Sequence, residues 1–350
     1  MTEQKGHIMW QEIHEQPQAI ADTLAAEDEH IDELAARLRE EKIQQVILVA
    51  RGTSDHAATY ARYLFSQTLG LLISSLPSSL FTVYGVELDL SNILVMGISQ
   101  SGRSSDVVDV LTMARDQGAL TAALTNTPGS PIFQAADVTM LTRASKEQSI
   151  PATKTYTAAL AVLHQLAAHW AQDQGMVDSI AQVPDLMAQI FAQEAHIQAH
   201  AERYRFLDRC ILIGRGLNFC TAHETALKLG ECAQIVPASY SAADFLHGPI
   251  AMVQQDVPCF IIAPEGEALG SMLEVVTALA QREAEMLTIA NEPVLLELAD
   301  VAIPLPADMP EHLSPLIAVV AGQLLAYYIA RHKGLDPDRP ALLGKITLTR

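Results

Sequence analysis

The apolar run Ile93–Ile98, followed at once by Ser99-Gln100-Ser101-Gly102-Arg103-Ser104, constrains this chain more than any other stretch. A buried strand that breaks into small hydroxyl residues and a glycine, then continues as a helix, builds an anion cradle. The glycine lets the backbone approach, and the free N–H groups of the helix start converge with the hydroxyls on one point. That donor set suits a phosphate monoester. Neither the nucleotide loop G-x-x-x-x-G-K-[ST] nor the dinucleotide turn G-x-G-x-x-G occurs, so no cofactor is implied.

This strand is one of a series. Short β-rich apolar runs alternate with longer helical patterns, as βαβ units around a parallel sheet do. The pattern starts twice, at Val46-Ile47-Leu48-Val49-Ala50 before Arg51-Gly52, and at Ile211-Leu212-Ile213 before Gly214-Arg215-Gly216. Arg51 stands 49 positions before Gln100, and Arg215 stands 49 before Pro264, which argues for an internal repeat. The expected fold class is α/β, with two tandem doubly wound, flavodoxin-like parallel sheets. Residues 1–40 hold N-terminal helices, 41–200 the first domain, 201–333 the second, and 334–350 an extended tail. Two helices are expected at about Thr153–Gln172 and Val177–Ala201. Pro337 and Pro340 keep most of the tail extended, and a reactive lysine on it would have to be docked.

With 49% hydrophobic and 18% charged residues the chain is globular. Its formal net charge of −19 repels nucleic acid and anionic membranes, so an anionic ligand must be held by local donors. No apolar run is expected to reach the ~18 residues that span a bilayer; the longest, Pro315–Ala330, is interrupted by Gln323 and reads as a helix buried inside the protein or at a subunit contact. The start MTEQKGHIMW has no apolar signal core, and a cytoplasmic location is expected. Four cysteines without C-x-x-C spacing read as reduced and unmetallated, and the 12 histidines show no H-E-x-x-H pair, so no metal is expected.

Glu224, Lys228 and Glu231 fall on one face of a helical pattern, Asn218–Gln234. The spacing alone suits an exposed ion pair worth a few tenths of a kcal/mol. The apolar neighbours Ala226, Leu227, Leu229 and Cys232 instead draw the charged face toward a site or an interface. His247 precedes Gly248-Pro249, a turn that would fix its position. Arg51 and Arg215 leave strand ends and are placed to pair with acidic groups or with phosphate; Arg103 carries no assignment.

The chain resembles the sugar isomerase (SIS) family from about Ile43 to Thr349. Within it, the chain is most similar to SIS-type glucosamine-6-phosphate deaminases and to the isomerase half of glucosamine-6-phosphate synthase. The carriers are Arg51-Gly52-Thr53-Ser54, Ser99–Ser104, Ala152-Thr153-Lys154, Glu224–Glu231, Phe245-Leu246-His247-Gly248-Pro249 and Leu343-Gly344-Lys345-Ile346-Thr347. The resemblance implies that Ser99, Gln100, Ser101 and Ser104 hold the substrate phosphate, with Thr53 and Ser54 near the reacting end of the sugar. It makes Glu231 the base that moves a proton between C1 and C2, and His247 the ring-opening group, reaching from the other subunit of a homodimer. Lys345 would sit at the sugar carbonyl, by Schiff base or hydrogen bond, with Lys228, Glu224 and Thr153 around the site.

Ala152 stands where the synthase half has Ser, and Asp244 where it has Glu three residues before the site histidine. Thr2 follows Met1, where the synthase has the nucleophilic cysteine of its glutaminase domain, so the resemblance implies no glutaminase activity. Gly102-Arg103-Ser104-Ser105-Asp106, in place of Gly-Glu-Thr, looks like the deaminase branch. The expected activity is conversion of glucosamine 6-phosphate to fructose 6-phosphate and ammonia. Another phosphosugar ketose/aldose isomerase, a fructosamine-phosphate deglycase, and a non-catalytic sugar-phosphate sensor are the alternatives.

Overall fold

The computed structural model describes residues 6–254, 257–341 and 343–345. The chain forms two compact units that interleave in sequence. One comprises Glu15–Glu147, Ala152–Ala181 and Gly344–Arg350, the other Met1–His14, Gln148–Pro151 and Gln182–Leu343.

The first-sheet unit carries strands β1 (Gln45–Ala50), β2 (Leu72–Ser75), β3 (Ile93–Ile98), β4 (Leu120–Thr125) and β5 (Val138–Leu141). All pair in parallel, in the order β2-β1-β3-β4-β5. The second-sheet unit repeats the pattern with β6 (Arg209–Gly214), β7 (Val236–Ser241), β8 (Cys259–Ala263), β9 (Met286–Ala290) and β10 (Val301–Pro304), ordered β10-β9-β8-β6-β7. Each is the doubly wound order whose switch point lies between its first and third strands. Gln100 follows β3 and Pro264 follows β8, so the matched spacing reflects the duplicated sheet.

The helices, in chain order, are α1 (His7–His14), α2 (Gln16–Glu40), α3 (Thr53–Leu69), α4 (Ser79–Thr82), α5 (Ser105–Asp116), α6 (Pro131–Ala135), α7 (Lys154–Ala171) and α8 (Gln174–Ser179). There follow α9 (Val183–Phe191), α10 (Glu194–Ala201), α11 (Phe219–Ala233), α12 (Ala242–Leu246), α13 (Leu269–Ala280), α14 (Pro293–Glu297) and α15 (Ser314–His332). α2 buries Ala19, Ile20, Thr23, Glu27, Ile31, Leu34, Ala35 and Leu38. That three-and-four spacing is the stripe of an amphipathic helix, and it packs on α7.

The single helix expected over Val177–Ala201 is instead three helices, α8 and α9 joined by a 3-10 turn at Ile180–Gln182 and α9 and α10 by a turn at Ala192-Gln193. Pro184 stands in the first turn of α9, where its missing N–H costs nothing, and so it starts a helix there.

α15 is the hub of the second-sheet unit, packed by α1, α9, α10 and α11. The helical stretch Glu311–His332 is 22 residues long and, despite Gln323, is long and apolar enough to cross a membrane by length and composition, a correction to the expectation above. Yet 94% of its apolar window is buried inside the chain. All four cysteines are buried and free, and burial pushes the Cys210 and Cys259 thiols up to about 12.

α11 and α15 approach closely at Gly322, where an added Cβ would lie 2.2 Å from the Thr225 hydroxyl oxygen. Gly322→Ala should therefore cost about 1–3 kcal/mol in denaturant unfolding, as overpacking does, despite the better helix propensity of Ala. Adding Thr225→Ala, which deletes that buried oxygen, should recover most of the loss. Equal stability of the single variant and the parent would contradict this packing.

Candidate active site

In the first-sheet unit, β1 and β3 pair from Gln45 with Ile93 through Ala50 with Ile98, so both strands end at one level. The segments leaving them, Arg51–Ser54 and Ser99–Ser104, therefore emerge together at the switch point. Ser99 is buried, and its N–H donates to the Leu124 carbonyl at 3.0 Å. Gly102 turns the chain with φ +61° and donates its N–H to the Ser99 carbonyl. A Cβ at Gly102 would lie 2.0 Å from Ser130 Oγ, so the turn tolerates only glycine.

Ser104 is the extended N-cap residue of α5 and makes no side-chain capping bond. Its Oγ lies 3.1 Å from Ser99 Oγ. Two hydroxyls thus face one another where α5 begins, and the start of a helix is electrostatically suited to an anion. The Gln100 carbonyl accepts from Asn126 N–H at 3.1 Å and from the Thr125 and Thr127 hydroxyls at 3.2 and 3.3 Å. The segment 125–130 that shapes the cradle drew no notice in the sequence, because its role is to brace another loop.

Thr53 and Ser54 open α3 and, with Gln100, Thr155 and Tyr156, line a small cavity of about 30 Å³. Of the two roles open to Arg51, pairing with an acid is the one realised: its Nε lies 2.7 Å from Asp106 Oδ2, and its terminal nitrogen bonds Ser78 Oγ. Arg215 makes the matching contact in the other unit, to Ser241 Oγ at 3.0 Å. These strand-end arginines brace the corner beside them.

The tail lysine is docked. Lys345 Nζ lies 2.9 Å from Oε2 of Glu147, whose side chain is fully buried. Glu147 also accepts from the N–H groups of Thr153 (2.8 Å) and Thr155 (3.2 Å) and from the Thr155 hydroxyl (2.8 Å). One carboxylate therefore caps the start of α7 and anchors the tail, a role the sequence analysis did not assign. Its only local signal is an acidic residue shortly ahead of a helix start. Lys345 joins Gln100, Ser101, Arg103 and Lys146 around an open cavity of about 600 Å³. Thr153 is fully buried, its hydroxyl without a hydrogen-bond partner among the described residues, and Lys154 is taken up by Glu15 at 2.6 Å and Ser145 at 3.0 Å. Leu342, Ile346, Thr347 and the rest of 346–350 lie outside the described residues.

In the second-sheet unit, α11 presents the expected triad. Lys228 Nζ lies 2.6 Å from Glu231 and 3.3 Å from Glu224. The side chains of Lys228 and Glu224 are 1% and 0% exposed, whereas that of Glu231 is 24% exposed. Burial pushes the Lys228 ammonium down, but Glu224 and then Glu231 outweigh it, so the net direction is up and the lysine stays charged. A fixed cation flanked by two carboxylates leaves only the outer one, Glu231, within reach of a ligand. His247 follows α12 and is exposed, next to Gly248 at φ +149° and the turn opened by Pro249.

The SIS domain family model matches residues 38–169 and 207–333. The glutamine–fructose-6-phosphate aminotransferase (isomerizing) of Thermococcus kodakarensis is 33% identical over 356 residues, covering 99% of this chain and 59% of that protein. The chain thus spans a little over half the length of such curated relatives. The C-terminal domain of glucosamine-fructose-6-phosphate aminotransferase from Francisella tularensis matches with a TM-score of 0.88 at 25% identity, over 97% of this chain and 100% of that one. The glucosamine-6-phosphate deaminase of Thermotoga maritima shares the fold, with a TM-score of 0.72 at 20% identity over 96% of this chain and all of its own. Two domain matches, one on each five-stranded parallel sheet, place this chain in the SIS domain family.

Proposed function

We propose that this chain is a glucosamine-6-phosphate deaminase, converting glucosamine 6-phosphate and water to fructose 6-phosphate and ammonia. The observation that carries the reading is the hydroxyl cradle at the start of α5, with Ser99 Oγ and Ser104 Oγ 3.1 Å apart and the tail lysine docked beside the same loop. The sequence Gly102-Arg103-Ser104 within that cradle favours the deaminase branch of the resemblance over the synthase. The similarity to proteins named for glucosamine and fructose phosphates supports an amino sugar phosphate as substrate.

In this reading Ser99, Gln100, Ser101 and Ser104 bind the phosphate, with Thr53, Ser54 and Thr153 lining the sugar side. His247 moves the proton that opens the pyranose, acting on the neighbouring subunit of a homodimer, because imidazole exchanges protons near neutral pH. Glu231 takes the proton from C2 and returns it to C1, turning the aldehyde and C2 amine into a C1 hydroxyl and a C2 imine. Water adds to the imine carbon, the C2–N bond breaks with its electrons going to nitrogen, and ammonia leaves. Lys345 polarises the open-chain carbonyl, and Lys228, with Glu224 behind it, holds Glu231 in place. The reaction consumes no glutamine, and a cytoplasmic location fits such a metabolic role.

The test is to incubate the purified chain with glucosamine 6-phosphate and follow fructose 6-phosphate and ammonia together. Equal amounts of both are expected, without added glutamine; appearance of neither would refute the deaminase reading. Glu231→Gln should lower kcat by roughly 10²–10⁴-fold, the usual contribution of general acid–base catalysis, with substrate affinity retained. Turnover surviving in that variant would remove Glu231 from its role. Ser99→Ala combined with Ser104→Ala should raise KM more than it lowers kcat. Two hydrogen bonds to a charged phosphate are worth about 1.5–3 kcal/mol each.

A further inference from the structure

In the second-sheet unit, α1, α10 and α15 line an open cavity of about 590 Å³ that the proposed reaction does not use. Its wall is organised by one carboxylate. Glu194 accepts from the Trp10 indole N–H at 2.6 Å and from the Tyr328 hydroxyl at 2.5 Å, and it pairs with His14 Nε2 at 2.9 Å. These partners satisfy the carboxylate and fix the edges of two aromatic rings. Tyr327 packs edge-on against Tyr328, with ring centroids 4.9 Å apart, and accepts from Arg331 at 3.2 Å.

α1 itself is pinned. The buried Asp338 carboxylate accepts the Ile8 and Met9 N–H groups at 3.2 and 2.7 Å. The aromatic wall is therefore held in place by hydrogen bonds before any ligand arrives, which lowers the entropic cost of binding. The rim is polar, with the Arg331 guanidinium, the exposed His7 and His332, and Gln198. In a chain of net charge −19, the Arg331 guanidinium is a local attraction for an anion, and Glu194 is already held by its own donors.

We propose that this cavity is a second ligand site, separate from the catalytic residues, for a small molecule that joins a stackable ring to a phosphate. A guanidinium matches a phosphate in geometry and charge, an aromatic wall suits a sugar or base ring, and the volume falls in the usual range for ligand pockets. A sugar phosphate and a mononucleotide share this chemistry.

The chain has two tryptophans, and Trp170 is buried in α7, so Trp170→Phe leaves Trp10 emission as a direct reporter. Fructose 6-phosphate and adenosine monophosphate would be titrated separately, with glucose as the uncharged control. A saturable change with either phosphate compound and none with glucose is expected, and the compound that acts identifies the source. Arg331→Ala should weaken it at least tenfold, and the exposed Gln198→Ala and His332→Ala should weaken it without affecting the thermal unfolding midpoint. The signal should persist in the Ser99→Ala, Ser104→Ala background, which separates this site from the cradle. No saturable change with either compound overturns the proposal. So does undiminished affinity in all three pocket variants, or loss of the signal in the cradle variant.

Discussion

Parallel pairing of β1 with β3 in unbroken register, from Gln45–Ile93 to Ala50–Ile98, is the constraint on which the first-sheet unit's chemistry rests. Strands that end level deliver their following loops to one edge, and the doubly wound order sends those loops into helices on opposite faces. The cradle is then a matter of local residues. A left-handed glycine turns the backbone, and an extended serine at the start of a helix leaves its hydroxyl facing another. A one-residue slip of β3 would turn its apolar side chains to the wrong faces and carry the hydroxyls away from the β1 corner.

Among the described residues, buried charged side chains come with partners. Glu147 meets two backbone N–H groups, a hydroxyl and Lys345. Asp106 meets Arg51 and Ser78, and Glu27 accepts from Leu141 N–H and Arg143. Such groups add little net stability, since desolvation offsets most of the attraction, but removal of one partner strands the other. Their value lies in fixing geometry. Glu147 ties the start of α7 to the tail that bears Lys345, and Lys228 fixes the carboxylates on α11.

Much of this was legible in the sequence, because its signals are local. Strand-Arg-Gly corners, a hydroxyl-rich strand end and a four-and-three charge spacing each depend on residues close together in the chain, and each is found where expected. The tail illustrates the limit. A docked Lys345 could be anticipated, but its partner Glu147 lies 198 residues away and carries no motif. The Arg51–Asp106 pair and the bracing of Gln100 by Thr125, Asn126 and Thr127 are likewise products of the sheet. The split of α1 from α2 between the units was also hidden. Asp338 caps α1, and Lys154 takes up Glu15 at the start of the other unit's first segment.

The most direct test of the central claim is a crystal structure of the chain with fructose 6-phosphate bound. The phosphate should lie within hydrogen-bonding distance of both Ser99 Oγ and Ser104 Oγ at the start of α5, with Lys345 still on Glu147. A sugar phosphate bound away from the β3–α5 loop, with the cradle left vacant at saturating ligand, would contradict the account.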